Sequence, residues 1–189
     1  MASIITATVS SGLTQQADNS GVLQLASGVG NLVTVPAVTG TAMVSGNMPA
    51  FAAHPSASST NISSSTWTKV VLNTELYDTN SNFASSTFTP TVAGYYQINF
   101  TVNTGTSANN GLWHSAAIYK NGSAYIQAFP VFPAGNIQSY ANNLSQVIFM
   151  NGSTDYLEFY VNVYVLSGTP NYSGGLTNTL ASGLLVRAS

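Results

Sequence analysis

Between Phe83 and Val102 the chain alternates apolar and polar side chains with a period of two. Tyr96, Ile98, Phe100 and Val102 fall on one face, and Tyr95, Gln97, Asn99 and Thr101 on the other. That pattern predicts a half-buried antiparallel strand. The same period recurs further on, where Leu157, Phe159, Val161, Val163 and Val165 are set against Tyr156, Glu158, Tyr160, Asn162 and Tyr164. One strand earlier, Val147 and Phe149 are expected to point inward by the same logic. Asn121-Gly122 and Asn151-Gly152 read as tight hairpins, because both central positions of such a turn need positive φ, which Asn and Gly tolerate. No window carries sustained three-to-four periodicity with caps, so no helix of useful length is expected.

The opening of the chain is patterned differently. Ile4–Val9, Val22–Leu25 and Leu32–Val35 are candidate strands, separated by glycine-containing breaks and too short to bury a core alone. Ala52 to Thr66 is dense in serine and reads as an extended, solvated linker. The expected organisation is therefore a β-rich arm over residues 1–51, a linker over 52–66 and a head over 67–189.

Several segments of the head resemble, in order, the C1q/TNF-like jelly-roll family. They are Trp67 to Leu72, the Tyr77-Asp78 turn before Phe83, Gly94-Tyr95-Tyr96, the Asn121-Gly122 turn, Gly152 to Phe159 and Ser182-Gly183-Leu184-Leu185. The family usually places Gly-Asp before its penultimate core strand, where this chain reads Gly152-Ser-Thr-Asp155. The resemblance spans about Trp67 to Val186. It implies an all-β, ten-stranded, two-sheet sandwich that assembles as a homotrimer, with Phe83, Tyr96, Ile98, Phe100, Phe159, Val161 and Leu185 in the head core and trimer packing. A second resemblance is carried by Ser11 to Leu25 and Gly40 to Phe51, which look like the N-terminal attachment region of tailed-bacteriophage structural proteins. It implies an anchoring arm that meets the major capsid protein or another virion protein through Ile4, Ile5, Val9, Leu23, Leu25, Val33 and Val35.

Composition sharpens this picture. Charged residues are 4% of the chain while hydrophobic residues are 44%, against about a quarter charged in an ordinary domain. The surface must be built from Ser, Thr, Asn, Gln and Gly, and a formal net charge of −2 leaves little self-repulsion to oppose close association. Such a surface suits a packed assembly. Lys69, Lys120 and Arg187 are the basic residues, too few for binding nucleic acid by counterion release. The apolar runs are too short to span a membrane. Met1-Ala-Ser-Ile-Ile-Thr offers neither a basic region nor a sustained apolar stretch, so no secretion signal is expected.

Candidate chemistry is sparse. With no cysteine and two histidines, a hydrolase would have to be assembled from His114, Asp155 and a serine, against the simpler reading of a packed histidine. Asp78-Thr-Asn-Ser-Asn82 is spaced like the start of a calcium loop, but Phe83 and Thr89 stand where glycine and glutamate belong. An Asx-stabilised turn accounts for it better. Asp155 and Glu158 are two carboxylates for an ion at a trimer axis, and no metal or cofactor is expected. Phe129-Pro-Val-Phe-Pro133 makes Phe129 and Phe132 a candidate recognition loop, with interface or core packing as the alternative.

The expectation is a non-enzymatic bacteriophage virion surface protein, a trimeric capsid decoration or cement protein with its head projecting outward. One alternative is the receptor-binding tip of a tail or head fibre that reads host surface glycan or protein. Another is a secreted C1q-like lectin or cytokine, against which the lack of collagen-like repeats weighs.

Overall fold

A computed structural model describes residues 23–26, 32–35, 48–60, 62–108, 111–128 and 138–189. The chain divides into two compact units, residues 1–40 and 41–189. In the first, β1 (Leu23–Ala26) and β2 (Leu32–Val35) pair antiparallel, with Leu23 opposite Val35 and Leu25 opposite Val33. Ile4, Ile5 and Val9 lie outside the described residues.

The second unit is built from two six-stranded antiparallel sheets. One runs β11 (Ser139–Met150), β8 (Gly94–Thr106), β14 (Thr179–Ala188), β3 (Ala50–His54), β5 (Thr74–Asp78), with β13 (Pro170–Tyr172) also on β8. The other runs β10 (Ser123–Gln127), β9 (Gly111–Lys120), β12 (Leu157–Val165), β7 (Thr87–Phe88), β6 (Phe83–Ala84), with β4 (Thr68–Lys69) also on β12. The resemblance implies ten strands from Trp67 onward; among the described residues eleven lie there, with the short β4 and β13 on ladder positions beside longer neighbours, and β3 joins them from ahead of that span. No helix occurs among the described residues.

The alternation in β8 and β12 sets the core. Tyr96, Ile98, Phe100 and Val102 are buried, as are Leu157, Phe159, Val161 and Val163. Phe83 and Leu185 join them, so the seven residues assigned to core and trimer packing all sit inside the sandwich of a single chain. Fully burying each such side chain contributes about 1.5–3 kcal/mol.

Three expectations change. Residues 52–54 are not linker: they belong to β3, and fully buried Phe51 stacks on Phe83 at 4.8 Å and Phe88 at 4.4 Å between ring centroids. The head therefore includes residues 50–54, and Ile62 within the expected linker is also buried. In β11 the phase is opposite to that expected. Ile148 and Met150 point inward, while Val147 and Phe149 are exposed, because the register sets Ile148 against Tyr96 and Phe149 against Tyr95. Finally, Asn151-Gly152 is not a hairpin. β11 and β12 lie in different sheets, so residues 151–156 cross between layers, and only Gly152 has positive φ. Asn121-Gly122 does form the expected turn, with φ of 53° and 78° joining β9 to β10.

Candidate functional site

The outward face of β11, β8 and β14 forms four rows across three strands. Phe149, Tyr95 and Arg187 face one another in the first, Val147, Gln97 and Leu184 in the second. Ser145, Asn99 and Ser182 form the third, and Asn143, Thr101 and Leu180 the fourth. Tyr95, Val147, Phe149, Leu184 and Val186 are 40–54% exposed, and the Tyr95 and Phe149 rings lie 5.4 Å apart. Hydrogen bonds link the polar side chains across the strands. Gln97 Nε2 donates to Ser145 Oγ at 2.9 Å, Ser145 Oγ to Asn99 Oδ1 at 2.9 Å, and Thr101 Oγ1 to Asn143 Oδ1 at 2.8 Å. A face that is apolar at one end and internally hydrogen-bonded at the other loses little when water leaves it. Arg187, at the bulge in β14, is the single charge in these rows.

The outward face of the opposite sheet carries an aromatic shelf. Tyr119 and Tyr160 stack at 4.1 Å, Trp67 tilts against Tyr119 at 6.1 Å, and Trp113 against Tyr164 at 5.5 Å. Burial pushes the Tyr119 hydroxyl up. Burial together with the nearby Glu158 carboxylate does the same for Tyr160. Glu158 is itself engaged, with Lys69 Nζ 2.8 Å from its Oε1.

The candidate chemical residues are occupied elsewhere. His114 is buried between the layers, with Nδ1 2.9 Å from Thr104 Oγ1 and its ring beside Tyr140. Six strand residues separate it from the Lys120 end of β9, near Asp155, about 20 Å at the usual rise. The structure does not bring His114 and Asp155 together. Asp155 ties two turns: it accepts from Asn121 Nδ2 at 2.8 Å and Asn151 N at 3.0 Å, and pairs with Lys120 Nζ at 2.9 Å. Burial pushes its carboxyl up, but the hydrogen bonds from Asn121, Lys120 and Asn151 and the Lys120 charge win and hold it below its ordinary value. Glu158 lies with Lys69 on the outer face, so the two carboxylates form no shared ion site. Asp78 accepts from Asn82 N at 3.0 Å and Phe83 N at 2.8 Å, four and five residues on, so its carboxylate closes the loop ahead of β6 by a longer reach than the expected Asx turn, whose bond falls two residues on. No group of three or more metal-ligating side chains occurs among the described residues. Phe129 and Phe132 lie outside the described residues. Of this shelf, Tyr160 and Tyr164 lie on the outward face that the alternation predicts, whereas the sequence assigns Trp67 and Trp113 no such place, although Trp113 and Tyr119 alternate with the core side of β9.

No known family profile matches the chain, and no curated protein sequence does. Solved structures do. Murine APRIL at pH 5.0 superposes with a TM-score of 0.51 at 10% identity, over 74% of this chain and 99% of its own. Murine APRIL at pH 8.0 gives 0.50 at 9% identity, with the same coverages. The globular domain of zebrafish complement 1qA protein is 17% identical over 75% of this chain and 98% of its own, at a TM-score of 0.49. At such identities the likeness is one of fold: the second unit is an all-β jelly roll of the C1q/TNF type.

Proposed function

We propose that this protein is a non-enzymatic structural component of a tailed-phage virion surface, a homotrimer that decorates the capsid through its N-terminal unit. The observation that carries the assembly part is the β11-β8-β14 face. Its exposed apolar side chains and cross-linked polar rows fit burial against sister copies better than permanent contact with water. The virion setting draws on the resemblance of Ser11 to Leu25 to phage attachment regions, and on a surface almost free of charge. Within the second part of that resemblance, Ala50 and Phe51 belong to the head's β3, so attachment is assigned to residues 1–40. Three weak attachments on one trimer act as one strong one, since the second and third are intramolecular.

The test is a truncation that removes residues 1–40 and leaves β3 in place. Mass photometry should give trimers of the truncated head, and the head should no longer join purified particles. Monomeric heads would count against the assembly face, and retained particle binding would count against the arm.

A further inference from the structure

Tyr119 and Tyr160 are the one pair of tyrosines in ring contact among the described residues, with centroids 4.1 Å apart and planes inclined by 28°. The register explains the pair. Glu158 lies opposite Tyr119 and Ala117 opposite Tyr160, so the two tyrosines are diagonal neighbours on the outer face of β9 and β12, within reach of long aromatic side chains. Both are half-buried, so small solutes in the surrounding water reach their edges. Tyr160 Oη donates to Glu158 Oε2 at 3.2 Å, while Lys69 Nζ holds Glu158 Oε1 at 2.8 Å. A phenol is protonated at neutral pH and must shed that proton as it loses an electron. Here a carboxylate already stands at the hydroxyl, within the reach a proton acceptor needs.

We propose that Tyr119 and Tyr160 form an oxidative cross-linking site, at which a one-electron oxidant, such as a haem peroxidase intermediate or a photogenerated metal complex, joins the two rings by a carbon–carbon bond. Tyr160 gives one electron to the oxidant and its hydroxyl proton to Glu158, which releases it to water. Tyr119 gives a second electron to a second equivalent of oxidant and its proton to water. Each neutral radical carries spin on the ring carbons next to the oxygen-bearing one, and one such carbon from each ring pairs to make the new bond. Each coupled carbon then passes its hydrogen to the ring oxygen, which restores both phenols. Two electrons and two protons leave in all. The bond ties two adjacent strands and closes the stretch of chain holding β10 and β11 into a loop, which restricts the unfolded state. Tyr77, Tyr95 and Tyr125 are more open to solvent, but none has a second tyrosine ring against it among the described residues. The shelf lies on the sheet opposite the proposed assembly face, so this inference does not rest on the trimer.

Full-length protein in dilute solution should be oxidised by illuminated tris(bipyridine)ruthenium with persulfate, which generates a one-electron oxidant. The blue emission of dityrosine should appear in material that still migrates as a single chain in denaturing gels, with its mass lower by two hydrogens and with peptic peptides that join Tyr119 to Tyr160. The cross-linked chain should also melt at a higher temperature than the untreated one. Tyr119→Phe and Tyr160→Phe keep the ring stack and should each cut the single-chain product at least tenfold, whereas Tyr77→Phe should leave it unchanged. Glu158→Gln should slow its formation several-fold at neutral pH, with the rate recovered by added acetate as a substitute proton acceptor. Oxidation that yields no single-chain dityrosine would overturn the proposal. So would a product that survives in Tyr160→Phe, or one whose joined peptides carry Tyr77, Tyr95 or Tyr125. A Glu158→Gln variant that reacts as fast as wild type would overturn the part given to the carboxylate.

Discussion

Asp155 joins the Asn121 turn of one sheet to the crossover at Asn151 through a single carboxylate, with Lys120 as counter-charge. Asp155→Asn keeps the shape but leaves Lys120, largely buried, facing a neutral group. A loss of about 2 kcal/mol is expected from that uncompensated charge, read as a lower midpoint in urea. The pH dependence has a definite sign. A carboxyl held below its unfolded value of about 3.9 stabilises the fold fully above that value, and the stabilisation disappears as pH falls through the folded value. Melting temperatures of wild type and Asp155→Asn should therefore converge in acid and separate above about pH 5. Tyr96 titrates at the other end of the scale. Burial pushes its hydroxyl up to about 12, and that hydroxyl donates to Val92 O at 2.7 Å. Between pH 10 and 12 the unfolded chain ionises first, so stability should decline with rising pH there, and less so in Tyr96→Phe. At neutral pH that substitution should cost about 1 kcal/mol for the lost hydrogen bond.

Strand β3 completes the head's first sheet between β14 and β5, and Phe51 is its contribution to the core. Deleting residues 1–62 should thus yield an insoluble or molten chain, whereas deleting residues 1–40 should leave a sharp thermal transition. Phe51→Ala in the full chain is expected to cost about 3–5 kcal/mol. Two glycines separate backbone conformation from crowding. At Gly122 a methyl group has room, 3.4 Å from the Tyr156 hydroxyl, so Gly122→Ala should cost only the left-handed backbone, about 1 kcal/mol. At Gly152 it would overlap the Ala93 backbone as well, and Gly152→Ala should be clearly the more damaging in a urea titration. The long strands β8 and β12 were legible because apolar and polar residues alternate strictly in each. Val147-Ile148-Phe149-Met150 is apolar throughout, so its phase was invisible until paired with β8. Ala50-Phe51-Ala52-Ala53-His54 hides as a strand for a related reason: Phe51, Ala52 and Ala53 are all buried, which removes the period. Asn151-Gly152 misleads because its glycine serves a tight crossing between layers, and the turn rule knows only adjacent strands. The aromatic shelf could not be seen whole, since Trp67 is brought to it by the pairing of β4 with β12, nearly a hundred residues apart.

At the scale of the whole molecule, association through a face nearly free of charge should be indifferent to salt. The trimer fraction is expected to change little between about 0.05 and 1 M sodium chloride, since Arg187 is the single charge in these rows for screening to act on. Val147→Glu should instead shift mass photometry toward monomers, by placing a charge in the second apolar row. If the trimer persists in that variant, the proposed face is not the one in contact. A different consequence follows from β14, whose residues 179–188 sit between β8 and β3 in the middle of their sheet. During synthesis, the partners of β14 leave the ribosome with a gap between them, and no nascent chain can close that layer before residues 181–184, which bridge β8 to β3, have emerged. Premature termination would therefore release an open-edged product for proteases to remove, which makes the fold its own check on complete translation of this segment.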